Sequence, residues 1–186
     1  MARVFVTGSA DGLGKMAAEL LIEQGHEVVL HARSTPRADE TRKKIAGAQD
    51  IVIGDLASIA ETKSIADQVN KLSRFDAVIH NAGIGYREPK LLKTADGLPQ
   101  LFAVNTLAPY ILTALITMPK RLVYLSSGMH YGAGSDLDDM LWEKRRWNGS
   151  QAYAENQVSG CAAGIRGGTS VSRGDVELSG TGMGTH

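Results

Sequence analysis

Two rhythms of apolar residues alternate along this chain. Short apolar runs such as Val4-Phe5-Val6, Val28-Val29-Leu30 and Ile51-Val52-Ile53 are each followed by a longer stretch with helical spacing. The first rhythm suits buried strands and the second suits helices packed on one face. The pattern predicts strands at residues 4–7, 27–31, 51–53, 75–80 and 121–126. It predicts helices at 13–24, 35–47, 58–72 and 97–118, and a further helix beginning near Gln151. Local punctuation agrees. Gly25 closes the first helix, Pro36 sits near the first position of the second, and Ser58 with Glu61 forms a capping box. Pro109 should bend the long helix. Strands that alternate with helices pair in parallel, so the fold class is α/β, a doubly wound parallel sheet. Ligands of such sheets bind beyond the C-terminal strand ends.

Composition narrows the choices without naming one. The 186 residues make one domain or most of one, with 43% hydrophobic and 22% charged residues. Lysine plus arginine equals aspartate plus glutamate at 20 each, and no basic patch stands out, which argues against a nucleic-acid partner. The longest apolar stretch, at 107–118, is broken by Pro109 and too short to cross a bilayer, so no membrane partner is expected. The single cysteine, Cys161, excludes an internal disulfide. No leader pattern precedes the first strand, and a cytoplasmic, reducing setting is the expectation. His26, His31, His80 and His130 lack metal-ligand spacing and read as structural or solvated, so no metal is expected.

The candidate chemistry sits at the strand ends. Thr7-Gly8-Ser9-Ala10-Asp11-Gly12-Leu13-Gly14 joins the first strand to the first helix. Gly8 permits a sharp turn, Gly12 lets backbone approach a pyrophosphate, and Gly14 lets helix pack on strand. The helix N-terminus offers unpaired N–H groups to an anion. Arg33, just after the second strand, faces the expected adenosine ribose, where an arginine pairs with a 2′-phosphate. That favours NADP over NAD. Asp55 and Leu56 follow the third strand, suited to the adenine amino group and ring. Asn81-Ala82-Gly83 follows the fourth, where Asn81 can tie strands together and the small pair leaves room. Asn105 lies mid-helix, where asparagine is a poor helix former and its side chain could open the helix and hold a water. Ser127 ends the fifth strand and Tyr153 follows later, a hydroxyl to orient a carbonyl and a phenol to protonate it.

Taken together, these residues resemble the short-chain dehydrogenase/reductase family over roughly residues 1–153. Thr7-Gly8-x-x-x-Gly12-x-Gly14 looks like that family's cofactor motif, and its spacing differs from the Thr-Gly-x-x-Gly-x-x-Gly of the epimerase-like branch. The long segment from Ser127 to Tyr153 looks like the retinol-dehydrogenase-like and protochlorophyllide-reductase-like branches. The resemblance implies a Rossmann-like fold, hydride transfer between NADP(H) and a small carbonyl or alcohol substrate, and a homodimer. It makes Tyr153 the proton donor, Ser127 the residue that orients the carbonyl, and Asn105 part of a proton relay. It also implies a lysine four residues after the tyrosine, holding the nicotinamide ribose and favouring the tyrosinate.

That lysine is missing: the chain reads Tyr153-Ala154-Glu155-Asn156-Gln157. Glutamine is neutral, and Glu155 is expected to work against a tyrosinate. The nucleotide-binding domain is therefore drawn at 1–157, with 158–186 a glycine-rich, irregular tail whose only leucine is Leu178. Such a tail supplies no further strands, so the sheet is expected to be incomplete at its C-terminal edge and the homodimer becomes doubtful. One reading of this change of character is a flexible glycine-rich tail, and a sharper one is a one-base slip of reading frame near residues 154–156. Shifted, the codon of Gln157 yields lysine or arginine, and those of residues 181–186 permit Pro-Gly-Trp-Val-Pro. The expected protein is an NADP-dependent oxidoreductase by descent with impaired turnover. The alternative is a non-catalytic dinucleotide-binding sensor or partner subunit.

Overall fold

A computed structural model of the protein describes residues 1–85, 87–133 and 138–166. Its centre is a parallel sheet of five strands: β1 (Arg3–Val6), β2 (Glu27–Ala32), β3 (Asp50–Ile53), β4 (Ala77–His80) and β5 (Arg121–Tyr124). Their order is β3-β2-β1-β4-β5. β1 lies between β2 and β4, with Phe5 paired to Val29 on one side and Val78 on the other. After β1 the chain winds one way and after β3 it crosses to the other side. A crevice opens where the winding reverses.

Strand side chains alternate between two faces. Phe5, Val29, Val52 and Val78 point into one core, which Ile65 and Val69 of α3 (Ile59–Lys71) and Leu112 complete. Val4, Val6, Val28 and Leu30 point into the other, under Ala18 of α1 (Gly12–Glu23) and Ala38 of α2 (Thr35–Lys44). Strands buried on both faces read as unbroken apolar runs, which is why they were legible. Phe75 is the exception. Expected inside the fourth strand, it precedes β4 and packs its ring 6.0 Å from Phe5 instead.

Two expected elements differ. The long helix predicted at 97–118 is three pieces: α4 (Gln100–Phe102), a π-helical turn (Ala103–Leu107) and α5 (Ala108–Leu115). Gly97 holds φ +77° in a turn whose N–H donates to the Thr94 carbonyl, so the helix starts only after Pro99. The disturbance begins upstream of Pro109 because that residue has no N–H to offer the carbonyl of Asn105, four residues earlier. The Ala108 N–H accordingly reaches back to the Ala103 carbonyl, a π-type bond.

The second difference is α6 (Gly149–Arg166), which continues past the boundary drawn at residue 157. The reading of an irregular chain from 158 is thus corrected as far as Arg166. Residues 134–137 and 167–186 lie outside the described residues. α6 is anchored by an ion pair on a buried carboxylate. Arg145 donates from Nη1 to Glu155 Oε1 at 2.8 Å and from Nη2 to Glu155 Oε2 at 2.6 Å. The same guanidinium lies 3.9 Å over the Trp142 ring. A bidentate arginine is the strongest partner a buried carboxylate can have. Glu155 therefore does not stand as an unanswered charge beside Tyr153, contrary to the expectation from spacing. Among the described residues no helix is long and apolar enough to cross a membrane.

Candidate functional site

The glycine-rich turn is held by side chains from the neighbouring strand ends. Thr7 is buried, and its Oγ1 accepts from the backbone N–H groups of Asn81 and Ala82, both at 3.0 Å. Asn81 Nδ2 donates to the carbonyls of Thr7 (2.9 Å) and Gly8 (3.2 Å). These bonds lock the end of β1 to the end of β4. Gly8 adopts φ +64°, and a Cβ there would stand 2.8 Å from the Ala82 Cα. Only glycine tolerates both the left-handed backbone and the close approach.

His31 completes the turn's support. The Gly8 N–H donates to His31 Nδ1 at 3.0 Å, so Nε2 carries the proton and donates to the Gly54 carbonyl at 2.9 Å. One neutral ring thus joins the ends of β1, β2 and β3. Of the two readings left open by the sequence, structural or solvated, the buried ring takes the structural one, with partners that lie far away along the chain.

In front of the turn lies a cleft of about 600 Å³. Gly8, Gly12 and Leu13 line it from the turn, Arg33 from the end of β2, Asp55 and Leu56 from the end of β3, and Asn81, Ala82 and Gly83 from the end of β4. Nine of the sequence-predicted cofactor residues therefore share one wall. Thr7 and Gly14 stand behind it. Leu56 is buried and Asp55 exposed, with the Asp55 carboxylate accepting from the Ala57 N–H at 2.9 Å. Ser58 caps α3 by accepting from the Glu61 N–H at 3.3 Å, whereas the Glu61 carboxylate turns to the Asp55 N–H at 2.7 Å. The predicted capping box is thus half-formed, and its second half steadies the Asp55 loop. Arg37 also lines the cleft, bound to Asp11 and Glu40, and was missed because a polar helix surface gave no sign of it.

The proposed reaction residues stand beside this wall, outside the cleft's lining. Asn105 is buried in the π-helical turn. Its Oδ1 accepts from the Ile84 N–H at 2.9 Å and its Nδ2 donates to the Ile84 carbonyl at 3.0 Å. Each end of the side chain thus makes one bond to the Ile84 backbone, which fixes the amide plane and leaves one N–H of Nδ2 and one lone pair of Oδ1 beyond these bonds. Ser127 follows β5, and its Oγ accepts from the Met129 N–H at 3.3 Å. Tyr153 is half-buried on α6, against the cluster of Leu101, Trp142 and Ala152. α6 packs on the short 3₁₀ turn Gly128–Gly132, on the π-helical turn and on β5, so the three segments that carry Asn105, Ser127 and Tyr153 meet. Asn156, which no motif flagged, ties α6 down: Thr106 Oγ1 donates to its Oδ1 at 2.7 Å. Among the described residues no cluster is suited to a metal ion.

Two buried imidazoles make the fold acid-sensitive. Burial holds His31 below its usual 6.5, against weaker opposing effects of the Gly54 hydrogen bond and the Asp55 charge. His80 is held by burial at about 4, its Nε2 3.2 Å from Thr113 Oγ1 and its ring stacked on Tyr124. Both rings are neutral in the fold and more basic in the unfolded chain. Their contribution is whole above about pH 6.5 and is lost as pH falls through the lowered folded values. For His80 the difference is on the order of 3 kcal/mol. Urea midpoints recorded from neutral pH to pH 4 should fall accordingly, and the slope should lessen in His80→Phe. An equal slope in the variant would remove His80 from the account.

Known proteins share this fold. A profile of the short chain dehydrogenase family matches residues 2–123. An uncharacterized oxidoreductase of Emericella nidulans is 55% identical over 139 residues, covering 74% of this chain and 54% of that one. A Mycobacterium paratuberculosis protein of solved structure superposes with a TM-score of 0.75 at 29% identity, over 85% of this chain and 58% of that one. A short-chain dehydrogenase from Sphingobium yanoikuyae in complex with NADPH shares the fold, with a TM-score of 0.64 at 22% identity over 86% of this chain and 61% of that one. The chain spans about half the length of the curated relatives it matches. With sheet order, glycine turn and profile in agreement, the chain belongs to the short-chain dehydrogenase/reductase family.

Proposed function

We propose that this chain forms the cofactor-binding part of an NADP(H)-dependent oxidoreductase that moves hydride between a nicotinamide and a carbonyl or alcohol. The observation that carries this reading is the shared wall formed by Gly8, Gly12, Arg33, Asp55 and Asn81 at the winding reversal. The residues present fit such a dinucleotide. No side chain caps the N-terminus of α1, which leaves its N–H groups for a pyrophosphate. Gly12 lines the cleft with nothing within 4 Å of the place a Cβ would take, so a ligand can approach the backbone there. Arg33 is exposed at the rim and makes no ion pair among the described residues, so it is placed to meet a 2′-phosphate.

When bound, the nicotinamide would supply or accept the hydride. Tyr153 would pass a proton to or from the substrate oxygen while Ser127 orients it. Asn105 would act as a positioning residue, fixing Ile84 and the wall behind the nicotinamide end. Leu56 would exclude water from one side of the adenine. Gln157 stands where a cation would favour the tyrosinate, so weak turnover is expected. The same residue supports the second reading, a dinucleotide-binding protein without catalysis.

The phosphate preference has a direct test. Arg33→Gln should weaken NADPH binding roughly 10- to 100-fold, the loss typical of one charge-assisted contact, and leave NADH nearly unchanged. Fluorescence titration of both cofactors measures this. Equal losses for the two would end the assignment of Arg33 to the 2′-phosphate.

A further inference from the structure

Asp11 occupies the N-cap position of α1 with extended backbone, φ −148° and ψ 173°. Aspartate is among the best N-cap residues because its carboxylate accepts from the first free N–H groups of the helix. Here it makes no such bond. It reaches across the mouth of the cleft to Arg37, in the first turn of α2, which also holds Glu40 at 2.7 Å. Asp11 and Arg37 both line the cleft, on the same rim as Arg33. The pair therefore spans the gap between the glycine turn and the helix after β2, the gap next to which a ribose phosphate would lie.

Two consequences follow. With its carboxylate on Arg37, Asp11 leaves the α1 N-terminus open to a pyrophosphate. Arg37 is then occupied, so its positive charge is cancelled for an incoming dianion. The ion pair is solvent-exposed, with side chains 30% and 65% accessible, so it opens readily.

Resting on the dinucleotide reading above, we propose that Asp11 is a specificity-determining residue. Its pairing with Arg37 withholds a second phosphate-reading arginine and thereby lowers the preference for a 2′-phosphorylated cofactor. The 2′-phosphate gains Arg37 only by displacing Asp11. Glu40 stays beside Arg37 in either case, because it sits on the same helix.

NADPH and NADH fluorescence titrations test this on the full chain, with Asp11→Asn, Arg37→Gln and the double variant. Asp11→Asn keeps an N-cap side chain and should tighten NADPH by roughly 3- to 10-fold, with little change for NADH. The gain should vanish in the Arg37→Gln background. Any general effect of removing a charge from the helix N-terminus acts on the shared pyrophosphate, so it cancels in the NADPH-to-NADH ratio. Asp11→Ser should change that ratio in the same direction. An unchanged ratio in Asp11→Asn, or a gain that persists without Arg37, overturns the proposal while leaving the cofactor assignment intact. Failure of the unaltered chain to bind either dinucleotide overturns both.

Discussion

Gln157→Lys is expected to raise turnover of an aldehyde or ketone substrate by about 10²-fold or more, the scale on which positioned acid–base groups act. The expectation comes from α6. Tyr153 and Gln157 both lie within Gly149–Arg166, one turn apart, so their side chains project from the same face. A lysine ammonium there would stand next to the phenol and could also reach a cofactor ribose. Glutamine has a similar length and no charge. The neighbouring acid does not undo the effect, since Glu155 is saturated by Arg145 and also accepts from Gln151 Nε2 at 3.0 Å. Steady-state assays with NADPH and a carbonyl panel would show the gain in kcat with little change in cofactor affinity. Turnover that stays absent in the variant while NADPH binds would favour the non-catalytic reading. Sequencing the coding DNA around residues 154–156 separately tests the frame slip: no longer open frame there, no slip.

Gly14→Ala should cost about 1–3 kcal/mol of stability, as an overpacked buried site does, and should abolish dinucleotide binding. Gly14 is buried where α1 meets the sheet, and a Cβ there overlaps Asn81 Nδ2 and lies 2.5 Å from the Gly8 carbonyl oxygen. Those two groups are hydrogen-bonded to each other. The methyl would part them, release the end of β4 from the turn, and shift the wall of the cleft. Gly12→Ala is the informative contrast. Gly12 has φ +55°, but a Cβ added there would meet nothing within 4 Å, so its cost comes from backbone strain alone. Urea denaturation and NADPH titration of both variants would separate crowding from strain. A Gly14→Ala protein as stable as the parent would refute the contact.

The strands and the glycine turn were legible because each is encoded locally. An apolar run bounded by glycine or proline announces a buried parallel strand without reference to anything else. Arg33, Asp55 and Asn81 line one cleft because their positions follow from strand ends. The misses share a different cause. Arg37 and Asp11 meet across 26 residues of chain, and His31 gains its meaning from Gly8 and Gly54. Glu155 looked like an isolated charge because Arg145 approaches it only after the turn before α6 is folded. The π-helical turn was foreseen as a bend at Pro109, but the missing N–H acts on the preceding turn of helix. Beyond residue 157, Gly160 and Gly164 lowered helix propensity enough to hide a helix that continues to Arg166.

The placement of the aromatic pair near α6 has an optical consequence. The chain has two tryptophans, Trp142 and Trp147, and their rings pack edge-on with centroids 5.1 Å apart. Both contact the helix that carries the phenol, and neither belongs to the two sheet cores. Intrinsic indole emission thus watches the docking of that helix, whereas far-ultraviolet dichroism watches the layered frame. Comparing the two signals during one melt would reveal whether the α6 flank and the layers around the sheet come apart as a single cooperative unit.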